Sequence, residues 1–145
     1  MRIFEKFTDM AVAVLVIFIV PGLWTVGKIE LAENICAEAA VSRFCDEIEI
    51  SGGIGAETLK QFENRIQAVY GAEAVVITFI ERIYEPVYEK SVFTGRCVCS
   101  ERLINHEEIE GYIFENGGFF PRGEGRFEIV AEGNRCRTEK SVYIG

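Results

Sequence analysis

The chain has 145 residues, of which 49% are hydrophobic and 26% are charged, with 23 acidic and 15 basic residues and a formal charge of −8. This length allows one membrane anchor and one compact domain of about 100 residues, and the apolar content excludes wholesale disorder. The acids are dispersed and the basic residues form no stripe, which argues against a nucleic-acid partner and favours a soluble, self-repelling surface.

The first feature along the chain is an uncharged segment from Met10 to Gly27, bounded by Asp9 and Lys28. As a helix it would span about 27 Å, close to the hydrocarbon thickness of a bilayer. A buried core helix or a helix lying flat on a membrane would show a polar face, and this segment has none. A cleaved signal peptide would have a shorter apolar run closed by a small-residue site. The segment therefore predicts a single-pass transmembrane helix.

The flanking charges indicate the orientation of this helix. Arg2 and Lys6 stand on its short N-terminal side, whereas only Lys28 follows closely on the other. Counting positive charges therefore favours a cytoplasmic N-terminus and a C-terminal domain outside the membrane. Pro21 lacks an N–H group and should kink or locally loosen the helix. The residues expected to span the membrane include Met10, Val16, Phe18, Pro21 and Trp24, with Trp24 near the outer interface.

An apolar row continues beyond the membrane segment at spacings of three and four residues. We call this row the seam, and it comprises Ile29, Ala32, Cys36, Ala40 and Phe44. No Gly or Pro interrupts the chain between Lys28 and Ile50. The spacing predicts one long rod that begins in the bilayer and reaches Ser51. The seam must be covered either by the chain's own domain or by a neighbouring copy.

Beyond the rod, Gly and Pro residues divide the chain into shorter elements. The predicted elements are a helix at Ala56–Tyr70, a strand at Ala74–Tyr84 closed by Pro86, a strand at Ser91–Cys99, a short helix capped by Asn105 and ended by Gly117, a strand at Arg126–Ala131, a turn at Gly133–Asn134 and a strand at Arg135–Ile144. Helices followed by antiparallel strands predict an α+β fold. Residues 1–50 would form the transmembrane and amphipathic helix, and residues 51–145 a small antiparallel-sheet head with short helices.

The five cysteines are an odd number. Cys36 and Cys45 would face opposite sides of the rod and cannot bridge each other. Cys97 and Cys99 would point to one face of a strand, and either one could form a disulfide with Cys136 on a neighbouring strand. In an oxidising space such a bond is expected, and free thiols are the alternative.

No constellation of residues indicates catalysis. His106 is the only imidazole and falls among acids at a helix start, where a surface histidine is the common outcome. The glycines around Pro121 precede no helical pattern, so they predict a turn and not a phosphate-binding loop. Three cysteines without a partnered histidine fall short of a zinc site. We therefore expect a protein that is not an enzyme and that uses no cofactor or metal. An envelope redox enzyme that uses the three head cysteines Cys97, Cys99 and Cys136 is a distant alternative.

An apolar N-terminal helix that continues as an amphipathic rod and carries a C-terminal sheet resembles the plan of type IV pilin-like proteins. Glu5, the apolar run and Pro21 are similar to the acidic residue and mid-helix proline of such subunits. The stretches FCDEIEISGGIGAETLKQFENRIQAVYG, VVITFIERIYEPVY and EEIEGYIFENGGFFPRGEGRFEIVAEGN resemble small pilin-like proteins encoded with Tad-type secretion machinery in Gram-positive bacteria.

The resemblance implies a structural subunit whose rods pack together in the membrane or in a filament, with the heads outermost. By analogy, Glu5 would meet a neighbour's N-terminal amine and set the axial stagger between subunits. The implied partners are copies of the same chain, the bilayer and the secretion or pilus assembly machinery. The implied location is the bacterial plasma membrane, or the cell exterior in a filament.

Two alternatives remain open at this stage. No Gly or Ala directly precedes the apolar run as a prepilin peptidase site would require, so the chain is either uncleaved or already mature. The protein could also be a membrane-tethered binding or adaptor domain that works as a monomer or dimer. In that case its own sheet would cover the seam.

Overall fold

The computed structural model describes residues 2–71, 75–134 and 136–145. It confirms the predicted α+β fold, in which one long N-terminal helix is followed by short helices and antiparallel strands. Ala74 and Arg135, the predicted first residues of two strands, lie outside the described residues.

The rod is one helix, α1, which extends over Arg2–Ser51. Its backbone changes from α to π geometry at Leu15–Ile19 and returns to α geometry at Val20, next to Pro21. The prediction that Pro21 loosens the helix agrees with this change, because a proline leaves the carbonyl one turn earlier without its usual donor. The rod ends at Gly52, whose positive φ of 75° lets its N–H donate to the carbonyl of Ile48 at 2.8 Å.

Among its described residues, the head has two short helices and six strands. They are α2 (Ala56–Tyr70), α3 (His106–Asn116), β1 (Ile54–Gly55), β2 (Val75–Glu89), β3 (Val92–Ile104), β4 (Gly118–Phe119), β5 (Gly125–Glu132) and β6 (Arg137–Ile144). The main sheet has the antiparallel order β3–β2–β5–β6, and β1 pairs with β4 separately. The β1–β4 pair was not predicted, because two residues on each side are too few to show an alternating pattern.

The hydrophobic core lies between the helices and one face of the sheet. Along β5, buried residues alternate with half-buried ones, as expected when only one face of a sheet is covered. The ring of Phe44 from the rod stacks on Phe62 of α2, with centroids 4.2 Å apart. Six residues of the rod belong to this core, namely Ala37, Ala40, Val41, Phe44, Cys45 and Ile48. The rod is therefore a structural part of the head, and the head's core begins well before residue 51.

The predicted helix start at Asn105 is present, and its side chain accepts a hydrogen bond from the N–H of Glu108 at 2.9 Å. The next residue, His106, accepts the N–H of Ile77 on Nδ1 at 3.2 Å, and its Nε2 lies 3.2 Å from Glu110. His106 thus accepts a backbone N–H on the β3 side of β2, just beyond the last residue of β3. Its side chain therefore links the sheet to α3.

The strands β2 and β3 continue as a two-stranded ribbon beyond the four-stranded sheet. The pairing of β2 with β5 ends at Glu81, whereas its pairing with β3 continues to Glu89. We call the part beyond the sheet, residues 82–101, the arm. The prediction that Pro86 closes the strand is wrong. Proline removes only an N–H, and in the arm no described strand pairs with β2 on the side away from β3, so no ladder hydrogen bond is lost there.

Candidate assembly surface

The N-terminal half of the rod presents apolar side chains on all sides. The described residues contain one helix long and apolar enough to cross a membrane, and none of its most apolar window is buried in the head. The side chains predicted to span the membrane are exposed, with Met10, Val16, Phe18 and Trp24 between 52% and 72% accessible. This part of the molecule is left for lipid or for other helices to cover.

An apolar groove runs along the rod up to the π turn. Its lining residues are Phe7, Met10, Ala11, Val14, Leu15, Phe18 and Ile19. Glu5 lies exposed in the first turn of the helix, just before Phe7 at the start of this groove. At the other end of the apolar segment, the ammonium of Lys28 lies 3.6 Å above the Trp24 ring. This cation–π contact suits a membrane interface, where the indole is partly buried and the charge stays in water.

The structure divides the predicted seam into two parts. Ile29, Ala32 and Cys36 are exposed. By contrast, Ala40 is 8% and Phe44 is 0% accessible, because the chain's own head covers them. The assignment of these two residues to an inter-subunit seam is therefore corrected. Each step of four residues advances about 40° around a helix, so the row winds away from the head towards its N-terminal end.

A second apolar stripe on the rod was missed in the sequence. Leu31 and Ile35 are 60% and 57% accessible and lie on the side of the rod away from the head. With Ala39, they follow a regular spacing of four residues that a pattern search could have found. The exposed residues of the seam and this stripe together form one outward surface on the rod. We call it the outer rod face, and it comprises Leu31, Ala32, Ile35, Cys36 and Ala39, while Ile29 stands at its border next to the head.

The head sits directly beyond the apolar segment. A groove between rod and head is lined by Val26, Ile29, Glu30 and Glu33 on the rod and by Tyr70, Asn134 and Cys136 on the head. The turn between β5 and β6 therefore lies next to the rod just outside its apolar segment. The arm leaves the opposite end of the sheet, so it points away from that segment.

The predicted disulfide between Cys136 and either Cys97 or Cys99 is wrong. Cys97 and Cys99 lie on β3, whereas Cys136 directly precedes β6, and these strands are the two opposite edges of the sheet. Two strands separate them, which sets their backbones about 14 Å apart even before the offset along the strands. A disulfide needs a Cα separation of less than about 7 Å. Because the sequence does not reveal strand order, it could not exclude this pair.

Cys36 and Cys45 face opposite sides of the rod as predicted, since Cys36 is exposed and Cys45 is buried. Burial raises the pKa of the Cys45 thiol from its ordinary 9.0 to about 11, against a smaller lowering by Lys140, while Asp46 adds to the rise. Only the thiolate reacts readily with alkylating agents, so Cys45 should be inert in the folded protein.

We expect a maleimide at pH 8 to label Cys36, Cys97 and Cys99 rapidly and Cys45 only after unfolding, as read by mass spectrometry.

The raised pKa of Cys45 also predicts that the stability of the head depends on pH. Above pH 9 the unfolded chain loses the Cys45 proton while the folded chain keeps it, so the free energy of unfolding should fall between pH 9 and about 11, by up to about 2 kcal/mol. Cys45→Ala should remove this component of the fall. Rapid labelling of Cys45 in the folded protein would contradict the assignment.

Within the three described ranges, no three His, Cys, Asp or Glu side chains gather into a group that could hold a metal ion. Comparison of the chain with protein-family models, with curated proteins and with solved structures finds no match.

Proposed function

We propose that this protein is a pilin-like structural subunit that assembles through its rod into a type IV or Tad-like pilus or secretion complex. The observation that carries the proposal is the rod itself. One helix is exposed and apolar along its N-terminal half and is built into the head's core along its C-terminal half. A subunit of this shape transmits packing between rods directly to the position of its head.

In this proposal the N-terminus is cytoplasmic and the head extracytoplasmic, as the flanking charges favour. The subunit stands in the plasma membrane before assembly and becomes extracellular in a filament. The outer rod face is the surface for neighbouring copies just beyond the lipid, because the head covers the other side of the rod. Glu5, on the N-terminal flank of the apolar segment, meets a neighbour's N-terminal amine, and this ion pair sets the axial stagger between subunits.

We expect Ala32→Glu to abolish filament or complex formation while membrane insertion and head folding stay intact. The change places a charge in the outer rod face, where it would be desolvated between packed rods. Assembly is measured by negative-stain microscopy of the membrane fraction and by crosslinking. Ala68→Glu, the same change at an exposed position on α2, is the matched control and should assemble normally. Normal filaments from Ala32→Glu would contradict the proposal.

A second candidate is a membrane-tethered binding or adaptor domain that does not polymerise. The burial of Ala40 and Phe44 by the chain's own head favours it, since part of the seam needs no neighbour. The two candidates differ in the native membrane. Discrete monomers or dimers under crosslinking would support the adaptor, and filaments of regular rise would support the subunit.

A further inference from the structure

The outer edge of β3 carries backbone groups that no described strand pairs with. Two hydrogen bonds reveal which groups these are. The N–H of Arg82 donates to Glu124 on the β5 side of β2 at 2.8 Å, and the N–H of Ile77 donates to His106 on the β3 side. Because backbone direction alternates along a strand, even-numbered residues of β2 face β5 and odd-numbered residues face β3.

The residue pairs between neighbouring strands show how this alternation continues across the sheet. Odd-numbered residues of β2 lie opposite even-numbered residues of β3, as in Glu81 with Arg102. The odd-numbered residues of β3 therefore direct their N–H and C=O groups to the free edge. The same reasoning through β5 leaves the odd-numbered residues of β6 facing the other free edge. The outward sets are Cys97, Cys99, Glu101 and Leu103 on β3, and Arg137, Glu139, Ser141 and Tyr143 on β6.

The direction of the strands selects the partner for this edge. In a four-stranded antiparallel sheet the two edge strands run in opposite directions, so a second copy in the same orientation brings its β6 antiparallel to β3. Such a row keeps every rod parallel and every helical layer on one face. Pairing β3 antiparallel to another β3 needs a half-turn about the sheet normal. That rotation reverses the rod, so the two apolar segments could not enter one membrane from the same side. Pairing β3 parallel to another β3 keeps the rods parallel but puts the two helical layers on opposite faces of the sheet.

Charge then selects the register. A bulge near Gly95 limits the regular part of β3 to residues 97–104. In four antiparallel registers, the outward-facing residues of β3 lie opposite those of a neighbour's β6, and at least five residue pairs form. One of these registers places Glu101 opposite Glu139, and a second places Arg102 opposite Lys140. Both bring like charges together, which is unfavourable. A third opposes no two charged residues, and only the fourth opposes opposite charges, Glu101 and Arg137.

We infer that the β3 edge of the arm binds the β6 edge of a second copy of this chain in that fourth register. Cys97 then lies opposite Ser141, and Glu101 opposite Arg137. Arg137 already contacts Glu139 of its own strand at 3.5 Å, but this pair is exposed and therefore weak. Turning towards a neighbour's Glu101 costs Arg137 little.

This register sets a distance between the two copies. Within one sheet Tyr143 and Leu103 lie at the same level along the strands. They are connected across the sheet by the successive pairs of Tyr143 with Arg126, Arg126 with Ile80, and Ile80 with Leu103. The inferred pairing displaces the neighbour by eight residues towards the tip of the arm, about 26 Å at the rise of a strand. Since the arm points away from the apolar segment, the neighbour stands farther from the membrane. The contact thus rests on the proposed assembly function, in which subunits are staggered along an axis.

Disulfide crosslinking of the full-length protein in the membrane fraction tests the pairing. The background replaces Cys36, Cys99 and Cys136 with serine and keeps Cys97 and the buried Cys45. Adding Ser141→Cys and oxidising with diamide should give a ladder of dimers, trimers and larger species, because each copy offers one β3 edge and one β6 edge. Facing residues of this kind lie about 5.5 Å apart at Cα, within disulfide range.

The matched control is Lys140→Cys in the same background, since residue 140 points to the opposite face of β6. Its ladder should be at least about tenfold weaker. Equal ladders from the two variants would overturn the inference, and so would a single dimer band. A wild-type chain that crosslinks through Cys99 to Cys99 would indicate β3–β3 pairing instead.

A charge exchange gives a second readout that does not depend on cysteine. Glu101→Arg should reduce the ladder several-fold, and Arg137→Glu added to it should restore the yield. Filaments without a ladder would overturn the arm contact and leave the proposed function standing. Absence of both filaments and ladder would overturn both, and a ladder without filaments would support the arm contact alone.

Discussion

Ala40→Glu is expected to unfold the head and not merely to weaken contacts between subunits. Ala40 is 8% accessible and belongs to the core cluster that also contains Phe44 and Ile48. A carboxylate there would lose its hydration without a partner and would exceed the available volume, at a cost of about 3–5 kcal/mol. Chemical denaturation followed by circular dichroism, with limited proteolysis of the head, measures the effect.

The neighbouring position supplies the control. Ala39 is exposed on the same helix, so Ala39→Glu should change the free energy of unfolding by less than about 0.5 kcal/mol. Similar denaturation midpoints for Ala39→Glu and Ala40→Glu would contradict the burial of Ala40. This pair also shows why Ala40 cannot test assembly, whereas the exposed Ala32 can.

Phe44→Ala is expected to loosen the head from the rod. The Phe44 ring is fully buried and stacks on Phe62 of α2, so its removal leaves a large cavity where the rod meets the head. The expected loss of stability is about 3–5 kcal/mol. Hydrogen exchange should show faster exchange in α2 and along Val41–Ile48, while the apolar half of the rod is unaffected.

Phe114→Ala is the matched control, because Phe114 is 92% accessible at the surface of α3. It should cost less than about 0.5 kcal/mol. If Phe44→Ala were equally mild, the rod would not contribute to the core, and the coupling between rod packing and head position would lose its basis.

The cysteines show where sequence reasoning was sufficient and where it failed. The opposite faces of Cys36 and Cys45 follow from helix periodicity alone and agree with the structure. The pairing of Cys136 with Cys97 or Cys99 required the order of the strands. That order is set by which apolar faces pack together across the whole head, and the local pattern of a strand carries no record of it.

The seam shows, within one helix, the same difference between what the sequence predicts and what only the tertiary structure decides. Its spacing predicted a rod with an apolar side, and the rod is present from Arg2 to Ser51. Which part of that side the head would cover depended on the direction in which α2 and β6 pack against the rod. The core therefore takes in Ala37 and Val41, which are not part of the seam, and leaves Ile29, Ala32 and Cys36 exposed.

By itself, the sequence determined the features that arise from neighbouring residues. These are the apolar segment, the continuous rod, the helix limits at Asn105 and Gly117, and the α+β class, because composition, periodicity and capping act over one or two turns. The tertiary structure alone decided the β1–β4 pair, the passage of β2 through Pro86, the separation of the cysteines and the division of the seam. Each of these depends on what lies beside a residue in space, which is fixed only when distant segments pack together.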